Sequence, residues 1–326
     1  MKALSLFNGM SCLYMALEKL GINVDKYYSA EINKYAIQAS QALYPDTIQL
    51  GDVTKWREWD IDWSSIDLVT GGFPCQAWSM AGKQLGDKDE RGMLFWTMLD
   101  IMKHVKKHNP KADFLIENVK MKKEFEEYIT YHTEQALGNV HKILINSALL
   151  SAQNRNRYYW TSFDVEQPED KGILLKDVIE SGANDVNSDG WHEWWDKNKE
   201  FQQRKAYSKV CNGNDKAITM TARQYASWNG NFVIMQTPRG NNPGGERAKN
   251  GKAPCLSSNS WQHNNHLSDG VKYRKLTPRE CMRLQTMPEH HIDTLLSAGI
   301  SNTQLYKMTG NGWTVDVITH ILKGLQ

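Results

Sequence analysis

Through residues 1–163, short runs of β-branched and aromatic residues alternate with longer amphipathic stretches, and this rhythm constrains the fold more than any other feature. Repeated strand–helix units bury both faces of a sheet under helices, so a doubly wound, mostly parallel α/β sheet is expected. Strands are predicted at Ala3–Phe7, Lys26–Glu31, Leu68–Gly71, Phe114–Glu117, Lys142–Asn146 and Tyr158–Ser162. Helices are predicted between them at Cys12–Leu20, Lys34–Tyr44, Met93–Lys107 and Lys122–Ala136. At 326 residues the chain can bury a full core as one such domain with a smaller lobe beside it.

The rhythm is lost over residues 164–272, where Trp, Asn and Gly accumulate and breakers such as Asn241-Asn242-Pro243-Gly244-Gly245 interrupt the chain. A less regular second lobe is expected there, set into a domain formed by residues 1–163 and 273–326. Within the lobe, residues 216–235 and 252–271 share a loose layout of Lys-Ala, Thr/Ser pairs, Trp and Asn, which either a repeat or ordinary loop composition would give. Net charge is only +2, but between Phe201 and Lys252 nine Lys or Arg stand against Asp215 and Glu246. That excess suits phosphate contacts, although a solvated loop gives the same pattern. Helical patterning returns after Lys275, with Thr277 as the expected N-cap and Pro278 in the first turn, and a final helix is predicted over Val315–Leu325.

Five cysteines, Cys12, Cys75, Cys211, Cys255 and Cys281, form an odd set without a CxxC pair. Neither a disulfide framework nor a metal site is expected, which fits a reduced intracellular chain. The segment MKALSLFNGM lacks an apolar signal core, and no window approaches about 18 consecutive apolar residues, so a soluble chain with no membrane partner is expected.

Candidate chemistry collects at predicted strand ends. The turn Phe7-Asn8-Gly9 between the first strand and helix is where a doubly wound sheet takes a nucleotide-like ligand. Ser11 and Cys12 stand where a dinucleotide fingerprint would need glycines, which argues against a pyrophosphate. Glu31 closes the second strand, where a carboxylate accepts from ribose hydroxyls, and Asp52 follows as an acceptor for a base amino group. Either acid also suits a helix cap or a solvated turn. After Leu68–Gly71 comes Gly72-Phe73-Pro74-Cys75-Gln76, in which glycines and Pro74 shape a loop presenting the Cys75 thiol at the carboxyl edge of the sheet. A lone cysteine is commonly a small core residue; this setting reads instead as a nucleophile, which needs thiolate character and a nearby acid or hydrogen-bonding partner. Glu117 in Glu117-Asn118-Val119 and the arginines of Gln153-Asn154-Arg155-Asn156-Arg157 supply candidates.

These segments, in this order, resemble the cytosine-C5 DNA methyltransferase family across nearly the whole chain outside the middle lobe. The resemblance rests on LSLFNGMS, SAEIN, GDV, GGFPCQAWS, GMLF, IENV, QNRNR, LTPRECMRLQ and TGNGWTVDV. Ser5 stands where the family's first motif carries an acid, and SLFNG, SAQNRNRYYW and GNGWTV are closest to the vertebrate de novo branch. The resemblance implies a sheet of the S-adenosylmethionine-dependent methyltransferase type with a target-recognition lobe at 164–272. It implies Cys75, Glu117, Arg155 and Arg157 as catalytic residues. Phe7, Asn8, Gly9, Glu31, Ile32, Asp52, Val53, Pro74, Leu94, Asn311 and Trp313 are implied as contacts to the cofactor S-adenosylmethionine.

The mechanism so implied has Cys75 add to C6 of a flipped-out cytosine, with Glu117 at the N3 side and the arginines at O2 and the adjacent backbone. The partner expected is double-stranded DNA, the protein a monomer, and the location the cytoplasm of a bacterial or phage-infected cell, associated with the nucleoid. An RNA cytosine-C5 methyltransferase and a catalytically silent DNA-binding relative are the alternatives. The Cys-Phe-Thr signature of the transfer-RNA branch is absent, and the nucleophile and the acid are both present.

Overall fold

A computed structural model describes residues 1–74, 92–180, 209–211, 216–218, 231–233, 267–268, 273–274 and 276–325. Its elements, in order, are β1 (Lys2–Leu6), α1 (Cys12–Lys19), β2 (Lys26–Ala30), α2 (Lys34–Leu43), β3 (Ile48–Gln49), β4 (Leu68–Gly71), α3 (Met93–His108), β5 (Asp113–Val119), α4 (Lys123–Leu137), β6 (His141–Asn146), β7 (Gln153–Asn154) and β8 (Asn156–Thr161). Short strands follow: β9 (Lys209–Cys211), β10 (Ala217–Ile218), β11 (Asn231–Val233), β12 (Leu267–Ser268) and β13 (Tyr273–Arg274). Four helices close the chain: α5 (Pro278–Leu284), α6 (Glu289–Ser297), α7 (Asn302–Asn311) and α8 (Val315–Leu322).

The expected sheet is present. Among the described residues seven strands run in the order β3-β2-β1-β4-β5-β8-β6. Pairs β1–β2, β2–β3, β1–β4 and β4–β5 are parallel, and β5–β8 is antiparallel. Chain order reverses between β1 and β4, so their carboxyl ends flank the topological switch point, where ligands bind in such sheets. The chain divides into two compact units, one of residues 1–145, 156–168 and 317–326, the other of residues 146–155 and 169–316.

In the first unit, Leu4, Leu6, Val69, Phe114, Ile116 and Trp160 of the sheet pack with Phe95, Met98 and Met102 of α3 and Ile129 of α4. Burial of each such side chain contributes about 1.5–3 kcal/mol, so this face dominates the unit's stability. α3 approaches Gly71 closely: a Cβ there would lie 2.7 Å from Met98 Sδ, so a larger residue would displace the Met98 side chain. In the second unit, Ala152, Leu175, Val178, Leu276, Cys281 and Leu284 form a smaller core. The predicted start of α5 is realised: Thr277 Oγ1 accepts from Glu280 N–H, Glu280 returns a carboxylate oxygen to Thr277 N–H, and Pro278 opens the helix. The two repeat-like stretches lie mostly outside the described residues. No described helix is long and apolar enough to cross a membrane.

Candidate active site

The turn after β1 is held in an unusual backbone conformation. Phe7, Gly9 and Ser11 have φ of 56°, 59° and 61°. For Phe7 and Ser11 this left-handed geometry costs about 1–3 kcal/mol each and persists only where neighbours over-determine it. The neighbours do so here. Asn8 N–H donates to the Ala30 carbonyl at 3.2 Å, and Gly9 N–H donates to Glu31 Oε2 at 2.8 Å. The Asn8 side chain turns inward, accepting from Tyr27 Oη at 2.8 Å and donating to Ser11 Oγ at 3.0 Å. Ser11 and Ser40 share a hydroxyl hydrogen bond of 2.7 Å. Asn8 thus shapes the loop with its side chain. Tyr27 and Ser40, which brace it, carried no signal in the sequence beyond being polar groups on β2 and α2.

Glu31 is half-buried just past β2. Its Oε1 accepts from Ile32 and Asn33 N–H, both at 2.8 Å, while Oε2 takes Gly9 N–H. A carboxylate offers about four acceptor positions, so roughly one remains on Oε2 for a ligand hydroxyl, where the sequence suggested room for two. Ile32, just past the same strand, is 75% exposed. Asp52 uses Oδ1 to cap the 3₁₀ turn Val53–Glu58 through Thr54 N–H at 2.9 Å. Val53 is buried in the core, and Leu94 packs against it from the first turn of α3. The edge therefore combines an acid with spare acceptor capacity, an exposed apolar side chain and a strained turn. That set fits the diol and purine of S-adenosylmethionine.

At the next strand ends, Phe73 is buried against Phe95 at a ring-centroid distance of 5.1 Å, and its carbonyl accepts from Asn118 Nδ2 at 3.0 Å. Asn118 therefore pins the loop after β4 to β5, a function its place beside Glu117 did not announce. Pro74 is half-buried; Cys75 lies outside the described residues. Glu117 and Arg157 sit diagonally across β5 and β8, where Glu117 pairs Tyr159 and Val119 pairs Arg157. Both side chains are only 11% exposed, and Arg157 Nε approaches Glu117 Oε1 to 3.0 Å. That contact is an ion pair without the alignment of a hydrogen bond, since Arg157 Nε finds no hydrogen-bond acceptor among the described residues. Arg157 Nη1 donates to the Asn156 carbonyl at 2.8 Å.

Arg155 is brought elsewhere, into the second unit. It is 2% exposed and donates from Nη2 to the Gly312 carbonyl at 3.0 Å. The break between β7 and β8 separates two arginines that an unbroken strand would have put on one face. Asn311 is the exposed last residue of α7, and Trp313 is half-buried in the turn that follows.

A family model described as C-5 cytosine-specific DNA methylase matches residues 1–326. The type II methyltransferase M1.ScrFI of Lactococcus lactis subsp. cremoris is 30% identical, over 97% of this chain and 76% of its own. The type II methyltransferase M.NlaX of Neisseria lactamica is 28% identical, over 100% and 96% respectively. In fold, the chain resembles the solved Entamoeba histolytica methyltransferase EhMeth with a TM-score of 0.69 at 15% identity, covering 100% of this chain and 98% of that one.

Proposed function

The chain belongs to the C-5 cytosine-specific DNA methylase family, a DNA cytosine methyltransferase that uses S-adenosylmethionine, and on that premise we propose that Cys75, Glu117 and Arg157 carry the reaction. The observation that supports this reading most is the buried Glu117–Arg157 pair on strands whose neighbour, β4, leads into Pro74-Cys75. Cys75 adds to C6 of the target cytosine, which makes C5 electron-rich. Glu117 stabilises the proton at N3 as the ring gains electrons, and Arg157 holds O2. Bound S-adenosylmethionine supplies an electrophilic methyl group at C5. Loss of the C5 proton and elimination of Cys75 then restore the thiol and the aromatic ring. Phe7, Gly9, Glu31, Ile32, Asp52, Asn311 and Trp313 are the cofactor contacts in this reading.

Such chemistry requires a base taken out of the stack, so the substrate is double-stranded DNA from which one cytosine is flipped. The lobe of residues 164–272 contacts the duplex, its basic stretch at phosphates and its polar loops at bases. The protein acts as a monomer in the cytoplasm of a bacterial or phage-infected cell, a setting that suits its bacterial relatives. Purified protein incubated with S-adenosylmethionine and unmethylated duplex DNA is expected to yield 5-methyldeoxycytidine by nucleoside mass spectrometry. Product on transfer RNA but not on DNA would move the assignment to RNA; product on neither would make the chain a silent relative.

Glu31 gives a direct test of the cofactor site. Glu31→Ala removes the ligand's acceptor and frees Gly9 N–H, and is expected to weaken S-adenosylmethionine binding by about 1.5–3 kcal/mol. Calorimetry showing wild-type affinity would take Glu31 out of the site.

A further inference from the structure

A side chain outside the expected set organises the turn that follows α7. Gln285 caps α5, is fully buried, and satisfies all four hydrogen-bonding positions of its amide. Its Nε2 donates to the carbonyls of Thr309 at 2.6 Å and Gly312 at 3.2 Å. Its Oε1 accepts from Thr314 Oγ1 at 2.9 Å and from Gln153 Nε2 at 3.4 Å. Arg155 Nη2 reaches the same Gly312 carbonyl, and Ser147 Oγ lies 2.9 Å from Thr314 Oγ1. Three distant segments therefore meet on one amide: 147–155, 284–286 and 309–314.

The next residue reinforces the point. Thr286 has φ of 55°, which for a β-branched residue is a strained outlier. Its Oγ1 donates to the Gln285 carbonyl and accepts from Asp316 N–H, both at 2.8 Å, while the Gln285 carbonyl also accepts Val315 N–H at 2.9 Å. A leucine at 285 would pack this volume without the desolvation cost of an amide. A fully satisfied buried network instead fixes one geometry, and here the geometry fixed is that of the turn carrying Asn311 and Trp313.

We propose that Gln285 is a positioning residue for methyl transfer, holding the Asn311–Gly312–Trp313 turn in the shape that receives S-adenosylmethionine. The proposal rests on the reading above that this turn contacts the cofactor. Gln285→Met keeps the side-chain length and removes every hydrogen bond. It is expected to raise the calorimetric dissociation constant for S-adenosylmethionine about tenfold or more, the scale of a lost polar contact. DNA affinity should stay within about twofold, below what one lost contact would give, and amide hydrogen exchange over 310–314 should accelerate.

Leu295→Ala, at a fully buried position on α6 that takes no part in these hydrogen bonds, serves as the stability control. It should lower the melting temperature without changing cofactor affinity. If Gln285→Met does not fold, Thr314→Val removes one bond of the network and should weaken cofactor binding several-fold. Wild-type protein that binds no S-adenosylmethionine would overturn the functional reading itself. Wild-type binding with unchanged affinity in Gln285→Met, or in Thr314→Val where that variant replaces it, would overturn the positioning role alone. So would an equal loss of affinity in Leu295→Ala.

Discussion

Serine in place of Cys75 is expected to reduce methyl transfer to background while leaving DNA binding intact. A hydroxyl remains almost wholly protonated near neutral pH, and the thiolate is far the better nucleophile toward C6. The approach to Cys75 is fixed two residues upstream, where Phe73 is pinned by Asn118 and packed on Phe95. Register places Gly71 beside Ile116, so the loop leaves the sheet next to Glu117. The decisive reagent is duplex DNA carrying 5-fluorocytosine at the target. After methyl transfer, the fluorine cannot leave as a proton does, so Cys75 stays bonded to C6 and a denaturation-resistant adduct accumulates. Its tryptic peptide should map to Cys75, and Cys75→Ser should form none. Of the other cysteines, Cys12 and Cys281 are buried, and burial pushes the Cys281 thiol well above its ordinary pKa, the wrong direction for a nucleophile. An adduct through any cysteine but Cys75 would sink the mechanism.

Much of the sheet was legible because its strands are short, apolar and closed by turn residues. Leu68–Gly71 matches in full, and the other five predicted strands shift by a few residues at their ends. Helices α6 and α7 were not anticipated. Each is short, and His290, His291 and Asp293 in α6 and Thr303, Gln304 and Lys307 in α7 interrupt the apolar pattern that would reveal them. Site chemistry was legible where a residue type and its strand-end position coincide, as for Glu31 and Glu117. What a linear sequence does not carry is the partner of each polar group. Asn8 facing Tyr27, Asn118 facing Phe73 and Gln285 facing Gly312 join residues 19, 45 and 27 positions apart. Arg155 and Arg157 look equivalent in Gln-x-Arg-x-Arg, and only the strand break between them sends one to the Gly312 carbonyl and the other to Glu117.

Glu117→Gln is the companion test, because it separates the proton at N3 from mere occupancy of the site. Glutamine keeps the shape and a hydrogen-bonding oxygen on β5, so the fold and the docking of cytosine should survive. The amide lacks the charge with which a carboxylate stabilises the proton at N3 when Cys75 adds to C6. Loss of a positioned acid of this kind costs about 10²–10⁴-fold, and single-turnover methyl transfer should fall within that range. The variant also leaves Arg157, 11% exposed, without the charge 3.0 Å from its Nε. A buried guanidinium facing a neutral amide is less well compensated, so a modest drop in melting temperature should accompany the rate loss. Arg157→Lys then distinguishes charge from shape: it retains the cation beside Glu117 but loses the planar fork that would hold O2. If the fork positions the base, this variant should melt near wild type yet transfer slowly. The adduct with 5-fluorocytosine should still form in Glu117→Gln, only more slowly, since Cys75 is untouched. A single-turnover rate within about tenfold of wild type, less than the least such an acid contributes, would mean that Glu117 serves Arg157 and not the cytosine.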